Sequence, residues 1–366
     1  MHLESLTLVN FKNYETAEIQ FHKRINGIYG NNGQGKTNLL DAVYYLSFCK
    51  SFFNPIDVQN IKTDLDFFVL QGNFVENTDE LKVHCGVKKG YNRVFKKNNK
   101  EYEKLADHIG TVPLVMISPA DTDLVHEGSE VRRKFTDGII SQFDRKYLDN
   151  LQNYQRVVKQ RNAVLKHFYE NRRWDPEMLS IYNEQLEQYG EPVYRERIAF
   201  LDEFRPLFVH YFQWLTGSEE IPGIVYNSSL SDTSWKDGFE QTAGKDRAVQ
   251  YTNFGVHKDD LEFLLDGKPL KRFGSQGQQK TYVIALKLAQ FHSIRQRLGT
   301  IPILLLDDIF DKIDDRRVAK LMELINGDEF GQVLITDTER SRLETILNRI
   351  SSEHLLIEIS KGQVSL

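Results

Sequence analysis

Hydrophobic spacing at the start of the chain predicts a mixture of strands and helices. Residues 1 to about 75 alternate between short apolar runs, which are typical of strands, and segments with helical spacing. Residues 81–104 are predicted to form strands joined by turns at residues 88–90 and 97–99, and residues 112–117 another strand. Alternation of this kind indicates an α/β structure.

The middle of the chain, from Val131 to about His210, has helical spacing. Apolar residues recur there at steps of three, four and seven positions, at Phe143, Tyr147, Leu151, Tyr154, Val158 and Leu165. Asp175 followed by Pro176 is typical of a helix start, so we predict that a second helix begins there. Pro192 is expected to kink or interrupt it, because proline lacks the backbone N–H that the helix needs.

The last third of the chain returns to alternating helices and strands. A polar stretch at residues 227–244 precedes strands predicted around residues 249–266. The elements predicted next are a helix at 276–298, a strand at 303–306, a helix near 315–326, a strand at 332–336 and a final helix–strand pair. We therefore predict one α/β lobe, made of residues 1–125 and 246–366, and an inserted helical lobe of residues 126–245.

The composition fits a folded protein with more than one domain. The chain has 366 residues, of which 40% are hydrophobic and 11% aromatic, so it can bury sizeable cores. Its start resembles no signal or transit peptide, and its most apolar run, residues 301–306, is far too short to cross a bilayer. Cys49 and Cys85 lack metal-ligand spacing and suit a reducing compartment, where they would be small buried residues. We expect a cytoplasmic protein without a membrane segment.

Residues 30–37 carry the complete phosphate-loop pattern G-x-x-x-x-G-K-[ST]. Its glycines let the backbone turn so that successive N–H groups point at one anion. Lys36 is expected to reach the β- and γ-phosphates of ATP, and the Thr37 hydroxyl to bind Mg²⁺. A strand before the loop and a helix after it make a chance glycine-rich turn a poor alternative. The predicted nucleotide-binding residues are Gly30, Asn31, Asn32, Gly33, Gln34, Gly35, Lys36 and Thr37.

Two acids at the end of a buried strand predict the second half of this site. The apolar run 303–306 is followed by Asp307 and Asp308. In phosphate-loop folds the second Mg²⁺-anchoring acid lies at the carboxyl end of such a strand. We assign Asp307 to the metal shell through water, and Asp308 to polarising the attacking water. A solvated turn is the alternative, which the loop at residues 30–37 disfavours.

A serine between glycines opens the helix predicted at residues 276–298. A helix start of this kind binds anions, and Ser275, Gly277 and Gln278 are its candidate contacts. One phosphate loop already serves the chain's own nucleotide, so this second site would serve the nucleotide of a neighbouring chain. An ordinary serine N-cap remains the alternative for Ser275.

These motifs, in this order, resemble those of the ABC-type ATPase heads of SMC-like proteins. Residues 311–314 stand where those heads have their D-loop. Within that class, essentially the whole chain is similar to the RecF family of bacterial recombination and repair proteins, notably in segments 8–14, 117–121, 128–133 and 255–261. The resemblance implies an ABC/SMC-type P-loop ATPase head with an inserted, mostly helical second lobe.

The resemblance also implies how the protein works. Two ATP molecules would lie between the phosphate loop of one chain and the Ser275 signature of another, so that ATP drives homodimer formation. Lys36, Asp308 and Ser275 would then act together on the phosphates. The dimer would hold double-stranded or gapped DNA regardless of sequence, and RecO and RecR would work with it. Lys12 is expected to neighbour the triphosphate, with an exposed strand-end lysine as the alternative.

Three departures from the related heads change the expectations. Asp308 stands where SMC-like heads have a glutamate and is one methylene shorter, so we expect slow, DNA-stimulated hydrolysis that times a switch. The switch histidine of ABC proteins is missing, and either Thr336 or Asp337 could contact the γ-phosphate. Residues 255–258 lack the usual proline and arginine, and His257 could be a packed structural residue.

Charge is segregated along the chain, although the net charge is −5. Residues 88–104 have seven Lys/Arg and two Glu, a local balance of +5, and residues 131–173 balance to +7. Such clusters predict salt-sensitive DNA binding without sequence preference. Residues 174–240 balance to −9 and are a candidate protein-docking face. The candidate DNA contacts, each of which could instead be an ordinary solvated charge, are Lys88, Lys89, Arg93, Lys96, Lys97, Arg132 and Arg133.

Two other classes of phosphate-loop protein fit less well. A small-molecule kinase would have no use for a second anion-binding signature, and the separation of 271 positions between Lys36 and Asp307 is long for a compact kinase. A transporter ATPase subunit would have a smaller, less basic insertion and a switch histidine. Another SMC-like head without the RecF role remains open.

Overall fold

The computed structural model describes residues 1–310, 315–327, 329–350 and 353–365. The segment 311–314, which we compared with a D-loop, lies outside these residues. The chain forms two compact units. The first unit comprises residues 1–121, 214–217 and 280–366, and the second unit comprises residues 122–213 and 218–279.

Of the fifteen strands of the described residues, twelve lie in the first unit and three in the second. They are β1 (His2–Val9), β2 (Thr16–Gln20), β3 (Ile25–Tyr29), β4 (Phe67–Glu76), β5 (Asp79–Lys88), β6 (Val94–Lys97), β7 (Lys100–Glu101), β8 (Leu114–Ile117), β9 (Pro222–Asn227), β10 (Asp260–Leu265), β11 (Lys268–Pro269), β12 (Ile303–Leu306), β13 (Val333–Asp337), β14 (His354–Ser360) and β15 (Gln363–Ser365).

The α-helices of the described residues are concentrated in the middle of the chain, as predicted. They are α1 (Lys36–Phe48), α2 (Asp123–His126), α3 (Ser129–Phe143), α4 (Arg145–Glu170), α5 (Pro176–Thr216), α6 (Trp235–Val249), α7 (Leu270–Phe273), α8 (Gln276–Leu298), α9 (Asp315–Asn326) and α10 (Arg340–Ile350). None of these helices is long and apolar enough to span a membrane.

The parallel sheet of the first unit brings the predicted site segments together. Its strand order is β15-β14-β3-β13-β12-β8, and all neighbours are parallel except the β14–β15 pair. Residues 30–37 follow β3, Asp307 follows β12, and β13 lies between these two strands. The carboxyl ends of parallel strands meet at one edge of a sheet, which is where ligands bind in α/β proteins.

Helix α1 lies in the core between that sheet and a second one. The second sheet is antiparallel, with the order β2-β1-β4-β5-β6-β7, and α1 contacts strands of both sheets. Nine of the thirteen residues of α1 are therefore buried, and the helix is apolar on most of its sides. Cys49 and Cys85, which we predicted to be small buried residues, are unpaired and lie in this core. The phosphate loop thus leads into a helix that is fixed by packing on both faces.

Buried ion pairs organise the second unit. The Arg161 guanidinium lies 2.7 Å from Asp246, and both side chains are almost fully buried. Arg197, which is equally buried, contacts Asp137 at 2.9 Å and Asp259 at 3.0 Å. Partners on both sides satisfy these charges, and removing one of them would leave an uncompensated buried charge.

The second unit extends further along the chain than the predicted helical lobe. Residues 246–279 were assigned to the α/β lobe, but they belong to the second unit. The physical reason is strand pairing, because β10 pairs along its whole length with β9, which lies within the predicted insertion. The boundary between the units therefore comes after the Ser275 signature.

Two local predictions in the second unit differ from the structure. Helix α6 occupies much of the predicted polar stretch 227–244 and extends to residue 249. Of the strands predicted around residues 249–266, only residues 260–265 form one. Ser234 caps α6 by accepting a hydrogen bond from the Asp237 N–H, a cap signal that the sequence contained. Helix α5 is continuous through Pro192, and the N-cap predicted at Asp175 is confirmed by its bond to the Met178 N–H at 3.0 Å.

Two histidines, one in each unit, are held neutral: His108 is buried and His257 is partly buried. In His108 the Nε2–H donates to the Leu46 carbonyl at 2.6 Å, and Nδ1 accepts from the Tyr102 hydroxyl at 3.1 Å. His257 makes the same pair of contacts with Thr252 and Tyr154 and is therefore a structural residue. Burial lowers the pKa of each histidine to about 4.

We expect stability to fall as the pH drops from 6.5 towards 4. The unfolded chain would bind a proton at the ordinary histidine pKa of 6.5, whereas folded His108 resists protonation down to about pH 4. For His108 alone the loss of unfolding free energy between pH 7.5 and pH 5 is about 2 kcal/mol. Urea unfolding at the two pH values should show a shallower fall in His108→Asn and an unchanged fall in the control His126→Asn, whose histidine is exposed. Equal pH dependence in all three proteins would contradict this assignment.

Candidate nucleotide-binding site

Positive backbone angles shape the loop that follows β3. Gly30, Gly33 and Gly35 have φ values of 151°, 77° and 120°. A Cβ atom on Gly30 would lie 2.2 Å from the Ile359 carbonyl oxygen, so only glycine fits there. Among the described residues no side chain caps the start of α1. The first N–H groups of this helix are therefore placed to receive an anion.

The Lys36 ammonium is held inside the loop. The side chain is only 4% exposed, and its Nζ donates to the carbonyl oxygens of Gly30 at 2.7 Å and Asn31 at 3.3 Å. These contacts hold the Lys36 ammonium against the backbone of the loop. An ammonium in this position attracts a polyphosphate as a point charge.

Thr37, Asp307 and Thr336 form a compact set of oxygen atoms at the edge of the sheet. The Thr37 hydroxyl lies 3.0 Å from both carboxylate oxygens of Asp307, and the Thr336 hydroxyl donates to Asp307 Oδ1 at 2.9 Å. Burial raises the pKa of Asp307, an effect that the charge of Asp308 adds to and the two hydroxyl hydrogen bonds oppose. A hydroxyl and a carboxylate suit Mg²⁺, which needs only one or two protein ligands when phosphates and water supply the others.

Asp308 adopts a backbone conformation that is unusual for a residue with a side chain. Its φ is 44°, and its backbone N–H donates to the Thr336 hydroxyl at 2.9 Å. The chain therefore turns sharply after Asp307, and the Asp308 side chain is partly exposed where the strand ends. Thr336 holds the two acids in a fixed relation, because its hydroxyl donates to one and accepts from the other.

The Asp337 carboxylate is bonded to Glu339 and Arg342, whereas its neighbour Thr336 is bonded to Asp307. Its carboxylate accepts two hydrogen bonds from Arg342, both at 2.8 Å, and one from the Glu339 N–H at 2.8 Å. These bonds occupy both oxygen atoms of the carboxylate and tie the end of β13 to the first turn of α10. Of the two residues that could replace the switch histidine, Thr336 is the one beside the acids of the site.

Two distant segments support the phosphate loop, and sequence reasoning missed their role. Asn13 Nδ2 donates to the Gln34 carbonyl at 2.8 Å, and the buried Tyr14 hydroxyl donates to the Gly35 carbonyl at 2.9 Å. From the other end of the chain, the turn between β14 and β15 donates its Lys361 N–H to the Gln34 side chain at 2.5 Å. The one sequence signal for this role was the similarity of segment 8–14 to the RecF family.

We expect Asn13→Ala to weaken ATP binding by about tenfold. The change removes the bond to Gln34 and the bond that Asn13 Oδ1 accepts from Asn38 at 2.7 Å, which together contribute about 1–2 kcal/mol to the loop geometry. Titration with a fluorescent ATP analogue would measure the effect. Asn92→Ala, at an exposed asparagine of the same unit, is the control. Equal affinities of the two variants would show that Asn13 does not support the loop.

Lys12 is mostly buried, so it is not the exposed strand-end lysine that the sequence left as an alternative. Its Nζ lies 2.6 Å from Asp41, which is fully buried on α1, and its side chain is 14% exposed. Asp41 also accepts hydrogen bonds from the Ser51 hydroxyl and the Phe52 N–H, at 2.6 and 2.7 Å. Lys12 therefore anchors the turn between β1 and β2 to the helix that follows the phosphate loop.

The serine signature forms a capping box at the start of α8. Ser275 Oγ accepts from the Gln278 N–H at 3.2 Å, and the Ser275 N–H donates to Gln278 Oε1 at 2.7 Å. The Gln278 amide also donates to Glu220. Ser275 is nevertheless exposed, so an N-cap role leaves its surface open to another molecule.

The candidate DNA contacts divide into exposed lysines and internally bonded arginines. Lys88, Lys89 and Lys97 are exposed, and Lys96 is half-buried. Lys88 lies over the ring of Tyr91, whose side chain is 71% exposed.

The three arginines all make hydrogen bonds within the protein. Arg93 pairs with Asp57 at 3.0 Å and donates to the Cys49 carbonyl, and Arg132 binds both oxygens of Asp260 at 2.8 and 2.9 Å. Arg133 donates a hydrogen bond to the backbone carbonyl of Asp259 at 2.6 Å. These bonds hold each guanidinium against the protein, so DNA contact by the three arginines stays a prediction.

Comparisons of sequence and structure place the chain among known ATPases. The family described as "RecF/RecN/SMC N terminal domain" matches residues 2–354. A protein of Flavobacterium johnsoniae called "DNA replication and repair protein RecF" is 50% identical over 95% of this chain and 97% of its own length. A protein of the same name from Bacteroides fragilis is 44% identical over 100% of this chain and 98% of its own.

Solved structures agree with the sequence matches. The structure called "Structure of the recombination mediator protein RecF-ATP in RecFOR pathway" has a TM-score of 0.90 and 28% identity, and covers 100% of this chain and 97% of its own. An SMC head bound to the C-terminal winged-helix domain of ScpA has a TM-score of 0.57 at 14% identity, which shows a shared fold. The predicted P-loop ATPase head is thus confirmed, and the chain belongs to the RecF family of DNA replication and repair proteins.

Proposed function

We propose that this protein is a cytoplasmic, ATP-dependent DNA-binding protein in which ATP drives the formation of a homodimer that holds DNA. The observation that carries the proposal is the position of Lys36, Thr37 and Asp307 at one sheet edge, with Thr37 and Asp307 3.0 Å apart. The solved RecF-ATP structure, which covers the whole chain, supports ATP as the ligand.

The residues of the loop bind and orient the phosphates. The N–H groups at the start of α1 would donate hydrogen bonds to the β-phosphate, and Lys36 would move from the Gly30 carbonyl to the β- and γ-phosphates. Thr37 and Asp307 would hold Mg²⁺, which neutralises phosphate charge when it is bound. Asp308 would orient the attacking water, and its short side chain supports slow hydrolysis.

A second chain would complete the site through Ser275. The α8 start is exposed and carries a positive helix dipole, so it can bind the γ-phosphate of another chain's nucleotide. The Ser275 hydroxyl would then contact the phosphate directly. ATP would act as the bridge between the two chains, and its hydrolysis would release them.

Exposed lysines at residues 88–104 are the proposed DNA contacts. In the clamped dimer they would neutralise phosphates without reading bases. RecO and RecR are proposed partners at gapped DNA. This rests on the RecFOR pathway named for the related structure.

We expect Lys88→Glu with Lys97→Glu to weaken ATP-dependent DNA binding by about tenfold at physiological salt. Each reversal removes one phosphate contact, so the slope of log affinity against log salt should also become shallower by about 0.9 per contact. Fluorescence anisotropy of a labelled duplex with a single-stranded gap would measure both. The matched control is Lys23→Glu with Lys245→Glu, two exposed lysines outside the cluster. If both double variants bind DNA like the parent, residues 88–104 do not contact DNA.

A further inference from the structure

The second unit has a groove that takes no part in the proposed ATP binding. It has a volume of about 520 Å³ and runs between the first turns of α5 and one face of α6. Its lining residues on α5 lie at positions 176, 179, 180, 183, 184 and 187, and those on α6 at positions 236, 239, 240 and 243. Both sets follow helical spacing, so the groove lies between two helix faces.

The floor of the groove is apolar. It is formed by Trp174, Leu179, Phe239 and Ala243. Leu179 and Phe239 are buried, whereas Trp174 and Ala243 are partly exposed, so the surface is open to a ligand. The same turns of α5 also expose Met178 and Ile181, at 39% and 56%.

The rim of the groove is acidic. Glu184 and Glu187 line it from α5 and Glu240 from α6, and all three are exposed. Lys236 is the one lysine among the lining residues. The other lining cation, Arg161, is paired with Asp246 at 2.7 Å. A ligand in the groove therefore meets a negative rim around an apolar floor.

We propose that this groove binds a basic amphipathic helix of a partner protein. The stripe from residue 176 to residue 187 is about 16 Å long at 1.5 Å per residue, which matches a helix of about three turns. Such a helix would place apolar side chains on Phe239 and Ala243 and direct Lys or Arg side chains to the rim. DNA is a poor occupant, because its phosphates would meet the rim carboxylates.

The test uses the full chain and a synthetic probe. The probe is a labelled 14-residue peptide of Leu and Lys at helical amphipathic spacing, and the control peptide has the same composition in scrambled order. Fluorescence anisotropy should show the amphipathic peptide binding at least about tenfold more tightly than the scrambled one. Equal binding of the two peptides would reduce the groove to a general acidic surface and overturn the proposal.

Two pairs of variants separate the floor from the rim. Ala243→Phe should fill the groove and weaken peptide binding by about tenfold without a change of charge, whereas Ala248→Phe, on an exposed position of the same helix, should not. Reversal of the rim by Glu184→Lys, Glu187→Lys and Glu240→Lys should weaken binding by at least about tenfold. The control Glu18→Lys, Glu80→Lys and Glu103→Lys changes net charge equally at exposed sites of the first unit.

Three outcomes of the experiments with these variants would also overturn the proposal. The first is that the Ala243→Phe variant has the melting temperature of the parent, and so is folded, but binds the peptide with unchanged affinity. The second is equal weakening by the rim reversal and by its charge-matched control. The third is a change in sedimentation of Ala243→Phe without peptide, which would assign the groove to a second copy of the chain. None of these readouts depends on ATP, so they are independent of the proposed function.

Discussion

Lys36→Ala is expected to weaken ATP binding by about 100-fold. Lys36 is 4% exposed, and the carbonyls of Gly30 and Asn31 hold its ammonium within the loop. Residues 30–37 contain no other cation that could replace it. The loss corresponds to about 2.8 kcal/mol, a usual magnitude for removing one partner of a buried charge contact. Isothermal titration with ATP and Mg²⁺ would measure it directly.

The control for this change is Lys23→Ala, at an exposed lysine of the same unit. It should bind ATP like the parent. Thermal unfolding of Lys36→Ala without nucleotide should stay close to that of the parent, whereas the stabilisation that ATP adds should disappear. If Lys36→Ala binds ATP with the parent affinity, the loop at residues 30–37 is not the nucleotide site.

Ser275→Arg is expected to abolish ATP-dependent dimerisation while ATP affinity stays within about twofold of the parent. Ser275 lies in the second unit, at the exposed start of α8. A large arginine there would occupy the space that the γ-phosphate of another chain needs. Dimer affinity should fall by at least about 100-fold, since the bridging contact is lost at both sites of a symmetric dimer.

A matched variant separates this effect from the loss of a helix cap. Ser234 caps α6 in the same unit, by accepting from the Asp237 N–H at 3.1 Å. Ser234→Arg therefore costs a cap of the same kind, about 1 kcal/mol, without touching the signature. It should dimerise with ATP as the parent does. Loss of ATP binding by the Ser275→Arg monomer would instead place Ser275 in the pocket of its own chain.

The parts of the site that depend on short segments could be predicted from the sequence. A glycine-rich loop between a strand and a helix, and acids directly after an apolar strand, specify their own local geometry. Parallel strands then bring their carboxyl ends together, so Thr37 and Asp307 meet although 270 positions separate them. The strand at Ile303–Leu306 and the helix at Gln276–Leu298 were predicted with the bounds that the structure has.

Contacts between distant segments could not be predicted. Arg93 and Arg132 look like free basic residues in the sequence, because nothing local reveals that Asp57 and Asp260 pair with them. For the same reason the support of the loop by Asn13 was invisible, since it requires the turn after β1 to fold against residues 34–35.

Sedimentation velocity of the full chain with and without ATP and Mg²⁺, in the presence of a DNA duplex, tests most directly whether ATP joins two chains on DNA. We expect a monomer of 42.7 kDa without ATP and a DNA-bound dimer with it. Sedimentation as a DNA-free monomer at saturating ATP would contradict the claim that ATP joins two chains around DNA.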